Sequence, residues 1–240
     1  MLIRSIIVAL ALATLPAAAQ IAPNATDIAA YRGLHAAYRG LHAAYRGLHA
    51  AAASGDAAAI EKLVKDGAAL EARDGHGRTP LHVAMHLKKP DAARALLRLG
   101  ADANALDAQA YDIVTIAAVA DDVPMLKLSL EAGCKATNIT SPYHGTALIA
   151  AAHLGHDEVV RVLIAAKAPL DHVNNLGWTA LIESIVLGQG GARHVATLKA
   201  LVDAGADVNI ADRAGATPLT LAKRRGYAEM VAILEKAGAR

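Results

Sequence analysis

Phenylalanine is absent from this chain of 240 residues, and aromatic residues make up only 3% of it. Hydrophobic residues still account for 55% of the sequence, so its apolar side chains are mainly those of Ala, Leu, Ile and Val. A domain with one large core usually contains more aromatic bulk, whereas small side chains suit thin helices that stack closely on their neighbours. The composition therefore favours a stacked array over a single large core.

Cysteine is nearly absent as well, since Cys134 is the only one in the chain. A single cysteine excludes an intramolecular disulfide. Cys134 follows Gly133 at a place where similar segments have alanine, as in Gly100-Ala101 and Gly205-Ala206. We therefore predict a small, packed side chain there rather than a reactive thiol.

An excess of charge of one sign is also missing, because the formal net charge is only +2 at pH 7. Proteins that bind nucleic acid through bulk charge are far more basic, so no nucleic-acid partner is predicted. The motifs of nucleophilic and phosphate chemistry are missing too. The sequence has no Gly-x-Ser-x-Gly elbow and no glycine-rich loop that ends in Lys-Ser or Lys-Thr, and it therefore predicts no enzyme activity.

Histidine is the one chemistry-bearing residue in good supply, with 11 in the chain. His82 and His86 are four residues apart, and His153 and His156 are three apart, so each pair could share one face of a helix. Neither pair has the glutamate of a zinc-protease motif or a cysteine cluster beside it. These weak signals predict no metal and no cofactor. A histidine-based metal-binding or enzymatic protein is the least favoured alternative.

The start of the chain has the pattern of a secretory signal peptide. Arg4 supplies the basic start, residues 6–15 form an apolar run, and Ala17-Ala18-Ala19 forms a small-residue cleavage site before Gln20. The apolar run is too short to span a bilayer, although an uncleaved signal anchor is the competing interpretation. We predict that residues 1–19 are a signal peptide and that the mature chain is periplasmic without a membrane span, with release outside the cell as the alternative.

The most informative stretch is Thr79-Pro80-Leu81-His82-Val83-Ala84, which recurs in altered form at a nearly fixed spacing. The positions that match its leucine lie 33, 33, 34, 33 and 38 residues apart, at Leu48, Leu81, Val114, Leu148, Leu181 and Leu219. We call these the reference positions. Self-similarity at a fixed period of this size is the signature of a solenoid in which each unit packs only on its neighbours. The sequence therefore predicts about six repeated units.

Two stretches of the second unit resemble an ankyrin repeat: Asp74 to Ala84, which contains the hexapeptide, and Leu96 to Asn104. The resemblance extends over residues 48–240, and it implies an all-α ankyrin-repeat solenoid of about six helix-turn-helix units with short hairpin-like turns. It also implies a scaffold that binds a partner protein without catalysis of its own. For single residues, it implies that His82 makes structural hydrogen bonds and that His156 opens a second helix.

Some positions depart from the repeat pattern. The third unit has Asp112 and Thr115 in place of the first and last residues of Thr-Pro-Leu-His, so the motif does not fix its turn geometry. Glycines are predicted to end the second helices in the left-handed conformation, at Gly67, Gly100, Gly133, Gly205 and Gly238, and Lys167 takes that place in the fourth unit.

The last interval is five residues longer than the 33-residue period. We predict a flexible loop insertion at Gly188-Gln189-Gly190-Gly191-Ala192, between the two helices of the fifth unit, because surface loops accept added length at little cost. A mobile contact loop beside the binding face is the alternative.

Upstream of the repeats, the heptad Ala29-Ala30-Tyr31-Arg32-Gly33-Leu34-His35 is followed by two identical copies that end at His49. Seven residues are close to two helical turns, so the tyrosines and leucines of the copies would form one stripe. Such a stripe can be a coiled-coil seam, but each copy contains a glycine, which costs about 1 kcal/mol in a helix relative to alanine. We predict that residues 20–47 form a helical extension and that the protein is a monomer, with self-association through the heptads as the alternative.

Ankyrin-like proteins usually bind partners through turn tips and the exposed side of the first helices, which together line a concave face. Tryptophan, tyrosine and arginine are frequent anchors of protein interfaces because they bury large areas. The turn and first-helix positions predict a partner-binding set led by Trp178, namely Trp178, Tyr111, Tyr143, Arg78, His86, Leu87, His153 and Leu154. The aromatic side chains could instead simply cover the adjacent turns. A secreted effector that engages host proteins is the competing functional class.

Overall fold

The computed structural model describes residues 47–240, and over that range the chain forms successive helix pairs. Residues 47–54 are helical and are called α1. The other helices are α2 (Ala57–Lys65), α3 (Pro80–His86), α4 (Pro90–Arg98), α5 (Ile113–Val119), α6 (Val123–Glu131), α7 (Ala147–Leu154), α8 (Asp157–Ala165), α9 (Ala180–Val186), α10 (Ala192–Asp203), α11 (Pro218–Arg225) and α12 (Ala228–Lys236). One short antiparallel pairing joins β1 (Ile139–Thr140) to β2 (Gly145–Thr146). Six helix pairs in this range confirm the predicted all-α array of about six units.

Two of the sequence predictions concern residues before Gly47. The predicted signal peptide (residues 1–19) and the predicted helical extension with its heptad copies (residues 20–47, of which only Gly47 is described) lie outside the described range, so both remain predictions. Within residues 47–240, no helix is both long enough and apolar enough to cross a membrane.

Each first helix from α3 onward begins at a polar cap, which accepts a backbone N–H that the helix leaves unpaired. Thr79 caps α3: its hydroxyl oxygen accepts the His82 N–H, and the His82 ring accepts the Thr79 N–H. Pro80 follows at the first helical position, where no N–H is needed. In the departing third unit, Asp112 replaces the threonine and accepts the Thr115 N–H at 2.8 Å. The remaining caps are Thr146, Thr179 and Thr217.

The histidine of the hexapeptide joins one unit to the next, which confirms its predicted structural role. His82 is fully buried, and its Nε2 lies 3.1 Å from the Ala105 carbonyl oxygen and 3.3 Å from that of Tyr111. Burial lowers the pKa of His82, which favours the neutral ring that accepts at one nitrogen and donates at the other. His156 precedes α8 as predicted, and its Nδ1 lies 2.9 Å from the Ala118 carbonyl oxygen.

First helices pack on first helices and second helices on second helices, so the units form two layers. Three residues after its reference position, every first helix from α1 to α11 has a small buried residue, namely Ala51, Ala84, Ala117, Ala151, Ser184 and Ala222. Small side chains at the contact let helix axes approach to the short end of the usual range of about 8–10 Å. A phenylalanine ring at any of these six positions would force the units apart.

The predicted left-handed helix ends are present. The five glycines have φ angles between 84° and 95°, at Gly67, Gly100, Gly133, Gly205 and Gly238. Lys167 adopts the same conformation after α8, with φ 65°, although the left-handed region is unfavourable for a residue with a Cβ. The geometry of the repeat therefore overrides local preference in the fourth unit.

The five extra residues of the fifth unit are divided between a loop and a helix. Helix α10 has 12 residues where the other second helices have nine, and the loop before α10 is two residues longer than those that follow α3 and α5. The predicted insertion thus also adds nearly one turn to the start of α10.

The glycines of this loop allow close packing. A Cβ on Gly188 would lie 2.0 Å from the Ser184 carbonyl oxygen, and one on Gly190 would lie 2.5 Å from the Tyr227 ring. The Tyr227 hydroxyl donates to the Gly188 carbonyl oxygen at 2.9 Å. The sequence prediction is corrected here: these glycines seat the loop against its neighbours instead of forming a free tether.

Candidate protein-binding face

Exposed large hydrophobic side chains are confined to two parts of the repeat in the described chain. They are between 38% and 57% exposed, and they are Leu87, Leu106, Val119, Ile139, Tyr143, Leu154, Val173, Leu176 and Leu187. Each lies in a turn between units or at the C-terminal end of a first helix, and none lies on α2, α4, α6, α8, α10 or α12. We call the surface formed by the turns and the first helices the hairpin–helix face. Clustered exposed apolar side chains are typical of binding surfaces.

One group of these side chains follows the ends of the first helices. This helix-end row has one member in each of four consecutive units, namely Leu87, Val119, Leu154 and Leu187. Because α3, α5, α7 and α9 pack side by side, the row crosses four units. His86 and His153 precede two of the leucines, and their side chains are 36% and 46% exposed.

A second group follows the turns. This hairpin row consists of Leu106, Ile139 and Val173, which are 40%, 57% and 45% exposed. Leu106 and Ile139 line a shallow depression of about 340 Å³ together with Asn104, Lys135, Asn138 and Thr140. Tyr143 and Leu176 lie farther along the turns and are also exposed. The hairpin–helix face therefore carries two apolar rows.

A polar contact connects the two rows at the N-terminal side of the face. The His86 Nε2 lies 3.9 Å from Oδ2 of Asp107, whose side chain is only 4% exposed. His86 neighbours Leu87 of the helix-end row, and Asp107 neighbours Leu106 of the hairpin row. Burial and the nearby Arg78 lower the pKa of His86, against the effect of Asp107, so the neutral ring is favoured.

A second polar contact connects the rows in the fifth unit. The His153 Nδ1 lies 3.4 Å from Oε2 of Glu183, and the Asn174 side-chain amide donates to Oε1 of Glu183 at 2.8 Å. His153 neighbours Leu154 of the helix-end row, and Asn174 neighbours Val173 of the hairpin row. Glu183 lies between them and is only 5% exposed.

Burial favours the uncharged forms of this second contact. It raises the pKa of Glu183 to about 7, although the hydrogen bond from Asn174 opposes the shift. Burial, followed by the charge of His194, lowers the pKa of His153. Within residues 47–240, the His153 ring is the only basic group within 4.0 Å of the Glu183 carboxyl oxygens. Glu183 is thus a buried acid without a lysine or arginine partner.

All eight residues of the predicted partner-binding set lie on the hairpin–helix face, but they are unequally accessible. Tyr143, Leu87 and Leu154 are 56%, 51% and 40% exposed. Tyr111 and Trp178 are half-buried, and Tyr111 packs against the core. The remaining members are the half-buried Arg78 and the exposed His86 and His153. Tyr143 therefore offers more free surface than Trp178, the leading candidate from the sequence, and partner binding by the set stays a prediction.

Arg78 is already engaged within its own turn. Its guanidinium Nη2 lies 2.8 Å from Oδ2 of Asp74. Burial alone would raise the pKa of Asp74, but the hydrogen bonds from Arg78 and the His76 backbone hold it to about 2. An anchor role for Arg78 would therefore require the partner to compete with Asp74.

Sequence reasoning missed the hairpin row and the Glu183 contact. The hairpin row has a signal, since Leu106, Ile139 and Val173 each lie 25 residues after a reference position. Glu183 and Asn174 are also visible as departures from the repeat. The other units have apolar residues where the fifth has Glu183, at Ala50, Val83, Ile116, Ala150 and Leu221. Three other turns have aspartate where the fifth has Asn174, at Asp74, Asp107 and Asp212.

Neither a reactive thiol nor a metal cluster is present among the described residues. Cys134 is only 6% exposed, and burial raises its pKa to about 12, which confirms the predicted packed thiol. No group of three or more His, Cys, Asp or Glu side chains is arranged to hold a metal ion in the part of the chain from Gly47 onward.

Comparisons with known proteins agree with this architecture. The family model for ankyrin repeats in three copies matches residues 28–107 and 114–212. The putative ankyrin repeat protein YahD of Escherichia coli is 32% identical over 189 residues, which cover 78% of this chain and 94% of YahD. Human ankyrin repeat and SOCS box protein 16 is also 32% identical, but the match spans only 42% of its length.

A solved structure gives the same result. The crystal structure of an ankyrin repeat domain from Acinetobacter baumannii is 42% identical, with a TM-score of 0.76 over 80% of this chain and 98% of that one. The residues matched by the family model include the hexapeptide and the helix pairs α1–α2, α3–α4, α7–α8 and α9–α10. This chain belongs to the ankyrin repeat family.

Proposed function

We propose that this protein is a non-catalytic scaffold that binds a partner protein in the periplasm through the hairpin–helix face, the concave side of its ankyrin array. Ankyrin repeats generally act as protein interaction modules. One observation carries the choice of face: the nine exposed large hydrophobic residues of the described chain all lie on it. Exposed apolar side chains at equivalent positions of successive units do not stabilise the array itself. Their burial under a partner protein contributes to the affinity of binding.

The free energy available from covering the two apolar rows fits a protein partner. Covering the exposed half of a leucine or isoleucine side chain contributes about 1 kcal/mol, so the two rows together contribute several kcal/mol before the costs of association. The exposed Tyr143 ring adds a rigid aromatic contact with few rotatable bonds. The two polar contacts between the rows supply hydrogen-bonding groups that fix orientation.

A paired set of variants tests the face. We expect Tyr143→Ala combined with Leu154→Ala to lower recovery of the partner about tenfold or more in affinity capture from the native compartment. The matched control combines Lys127→Ala and Glu158→Ala, which change exposed residues of the second helices α6 and α8. Circular dichroism should show both proteins folded. Equal recovery by the two would contradict the proposed face.

The periplasmic location is supported by the signal pattern of residues 1–19. Cell fractionation of a C-terminally tagged full-length chain tests it. We expect the protein in the periplasmic fraction, with mass spectrometry showing a start at Gln20. Accumulation in the medium would favour the effector class, and an intact N-terminus in the cytoplasm would contradict the proposal.

A further inference from the structure

The buried acid of the fifth unit has no explanation in packing alone. Glu183 is 5% exposed at a position that is apolar in the other units. Burying a carboxyl group costs free energy unless it is hydrogen-bonded or paired with a cation. An alanine, valine or leucine at this position would suit the repeat, so another property of the glutamate has to account for it.

A second departure from the repeat accompanies Glu183 and holds it. Asn174 stands where three other turns have aspartate, and its Oδ1 still accepts the backbone N–H groups of Leu176 and Trp178, at 2.9 and 3.0 Å. Its amide nitrogen is therefore free to donate to Oε1 of Glu183, at 2.8 Å. An aspartate at position 174 would place its carboxyl group next to that of Glu183, and the two would repel each other when ionised. Asparagine in place of aspartate preserves the hydrogen bonds of the turn and fixes the orientation of the Glu183 carboxyl group.

The other oxygen of the acid is covered by one partly exposed ring. Oε2 of Glu183 contacts Nδ1 of His153 at 3.4 Å, and 46% of the His153 side chain is exposed. Within the described chain, the His153 ring itself makes no hydrogen bond: it contacts Glu183 only at ion-pair distance, and His194 contacts the His153 carbonyl oxygen. A side chain that displaces this ring would reach Oε2 directly.

The surroundings select the kind of side chain that fits. Leu154 of the helix-end row and Val173 of the hairpin row adjoin the two partners of Glu183, and both are exposed. A long side chain with an apolar stem and a cationic end matches a buried acid whose two partners have exposed apolar residues next to them in the sequence. Arginine suits this arrangement better than lysine because its weakly hydrated guanidinium pairs with a carboxylate in a partly buried setting.

We propose that Glu183 recognises an arginine side chain of the partner protein, with His153 covering the carboxyl group and Asn174 orienting it. We call Glu183, His153 and Asn174 the arginine pocket. This inference rests on the proposed function, because it assigns a chemistry to the partner of the hairpin–helix face. The stem of the arginine lies between the two rows, and its guanidinium donates to Oε2 of Glu183.

Two nearly isosteric peptides test the pocket: acetyl-Leu-Arg-Leu-amide and acetyl-Leu-citrulline-Leu-amide, whose central side chains differ chiefly in charge. Their Kd values for the purified protein are measured by NMR titration, at a pH about one unit above the Glu183 pKa of about 7. We expect the arginine peptide to bind about tenfold more tightly. Glu183→Gln, which keeps an acceptor for Asn174, should remove the difference. Glu158→Gln removes a carboxyl group from an exposed position on α8 and should leave it intact.

Three results would overturn the pocket: equal Kd values for the two peptides, a preference that persists in Glu183→Gln, or binding of neither peptide. Leu154→Ala separates this failure from a failure of the proposed function. If both peptides bind equally and both bind more weakly to Leu154→Ala, the hairpin–helix face stands and the arginine pocket is rejected.

Discussion

Glu183 makes the stability of the fold depend on pH. Burial raises the pKa of this carboxyl group from 4.5 to about 7, so the folded chain holds the proton more tightly than the unfolded chain does. The stabilising contribution of the group is therefore fully present below about pH 4.5 and is lost as the pH rises to about 7. Binding of a cation at Oε2 would oppose this loss, because it favours the ionised acid.

We expect the free energy of unfolding of the wild type to fall relative to Glu183→Gln, by up to about 3 kcal/mol, as the pH rises from 4.5 to about 7. The reason is that glutamine does not titrate, while His153 titrates in both proteins. Denaturant unfolding at a series of pH values measures the difference, and Glu158→Gln should retain the wild-type profile. Parallel profiles for wild type and Glu183→Gln would show that the acid is not shifted.

Single residues were predictable from the sequence where the motif prescribes their bonds. His82 occupies the histidine position of the repeat motif, three residues after its capping threonine, so the resemblance to ankyrin repeats implied its structural role. The contact of Glu183 with Asn174 was not predictable in this way, since a helix position and a turn position nine residues apart meet only through the folded geometry. The accessibility of Trp178 and Tyr143 was not predictable either, because local sequence does not determine what covers a turn residue.

At the scale of elements, the loop between α9 and α10 shows how an insertion is accommodated. Gly188 and Gly191 lie three residues apart in this loop, but only Gly188 has backbone close to the position of a Cβ. Gly191 has open space around it and caps α10 with extended backbone. The same substitution at the two glycines therefore tests whether the loop is packed.

Gly188→Ser should lower the free energy of unfolding by about 1–3 kcal/mol, because its Cβ would overlap the Ser184 carbonyl oxygen. Gly191→Ser should leave stability unchanged or raise it by a few tenths of a kcal/mol, because serine is a good helix cap. Thermal unfolding of both variants measures the contrast. Equal midpoints would mean that the loop is free to move, as the sequence suggested.

The number of units followed from the period and the helix pairs from the resemblance, but how the insertion is divided between loop and helix did not. Its length was readable from the interval of 38 residues, and the glycines indicated a loop. The start of α10 at Ala192 was not predictable, because residues 192–194 also fit a longer loop. Packing of Tyr227 and His194 against the glycines decided the boundary.

At the scale of the whole molecule, helix packing in residues 47–240 runs mainly between neighbouring units, and the 2.7 Å ion pair of Arg193 with Asp121 is a side-chain contact between the fifth and third units. Helix α3 packs on α5, and α5 packs on α7, so the second and fourth units communicate through the third. Energetic effects in such an array are approximately sums of local terms. The small residues that separate the first helices provide equivalent sites for testing this.

Ala84→Val and Ala151→Val should each cost about 1–3 kcal/mol by overpacking, and together they should cost the sum to within about 0.5 kcal/mol, because their units do not touch. Ala117→Val with Ala151→Val should deviate from the sum by more than that, since α5 packs on α7. Denaturant unfolding of the singles and doubles gives these values. Equal coupling in both pairs would indicate a single cooperative core in place of an array.

The global architecture was predictable because a fixed period indicates a stack of similar units. The chemistry of the proposed binding face was not predictable. Exposure of Leu106, Ile139 and Val173 depends on how adjacent turns stack, and each of these residues would be buried in many other folds. The repeat pattern therefore predicts the solenoid. Residues that differ from the pattern, such as Glu183 and Asn174, indicate a site only when the fold brings them together.

The buried thiol has a practical consequence. Only the thiolate reacts readily with thiol reagents. The pKa of about 12 keeps Cys134 protonated, and therefore unreactive, in the folded chain. Gln109→Cys, at an exposed turn position outside the predicted partner-binding set, would therefore create the single labelling point of the protein without removal of Cys134. One fluorophore attached there would sit on the hairpin–helix face and report the arrival of a partner as a change in emission.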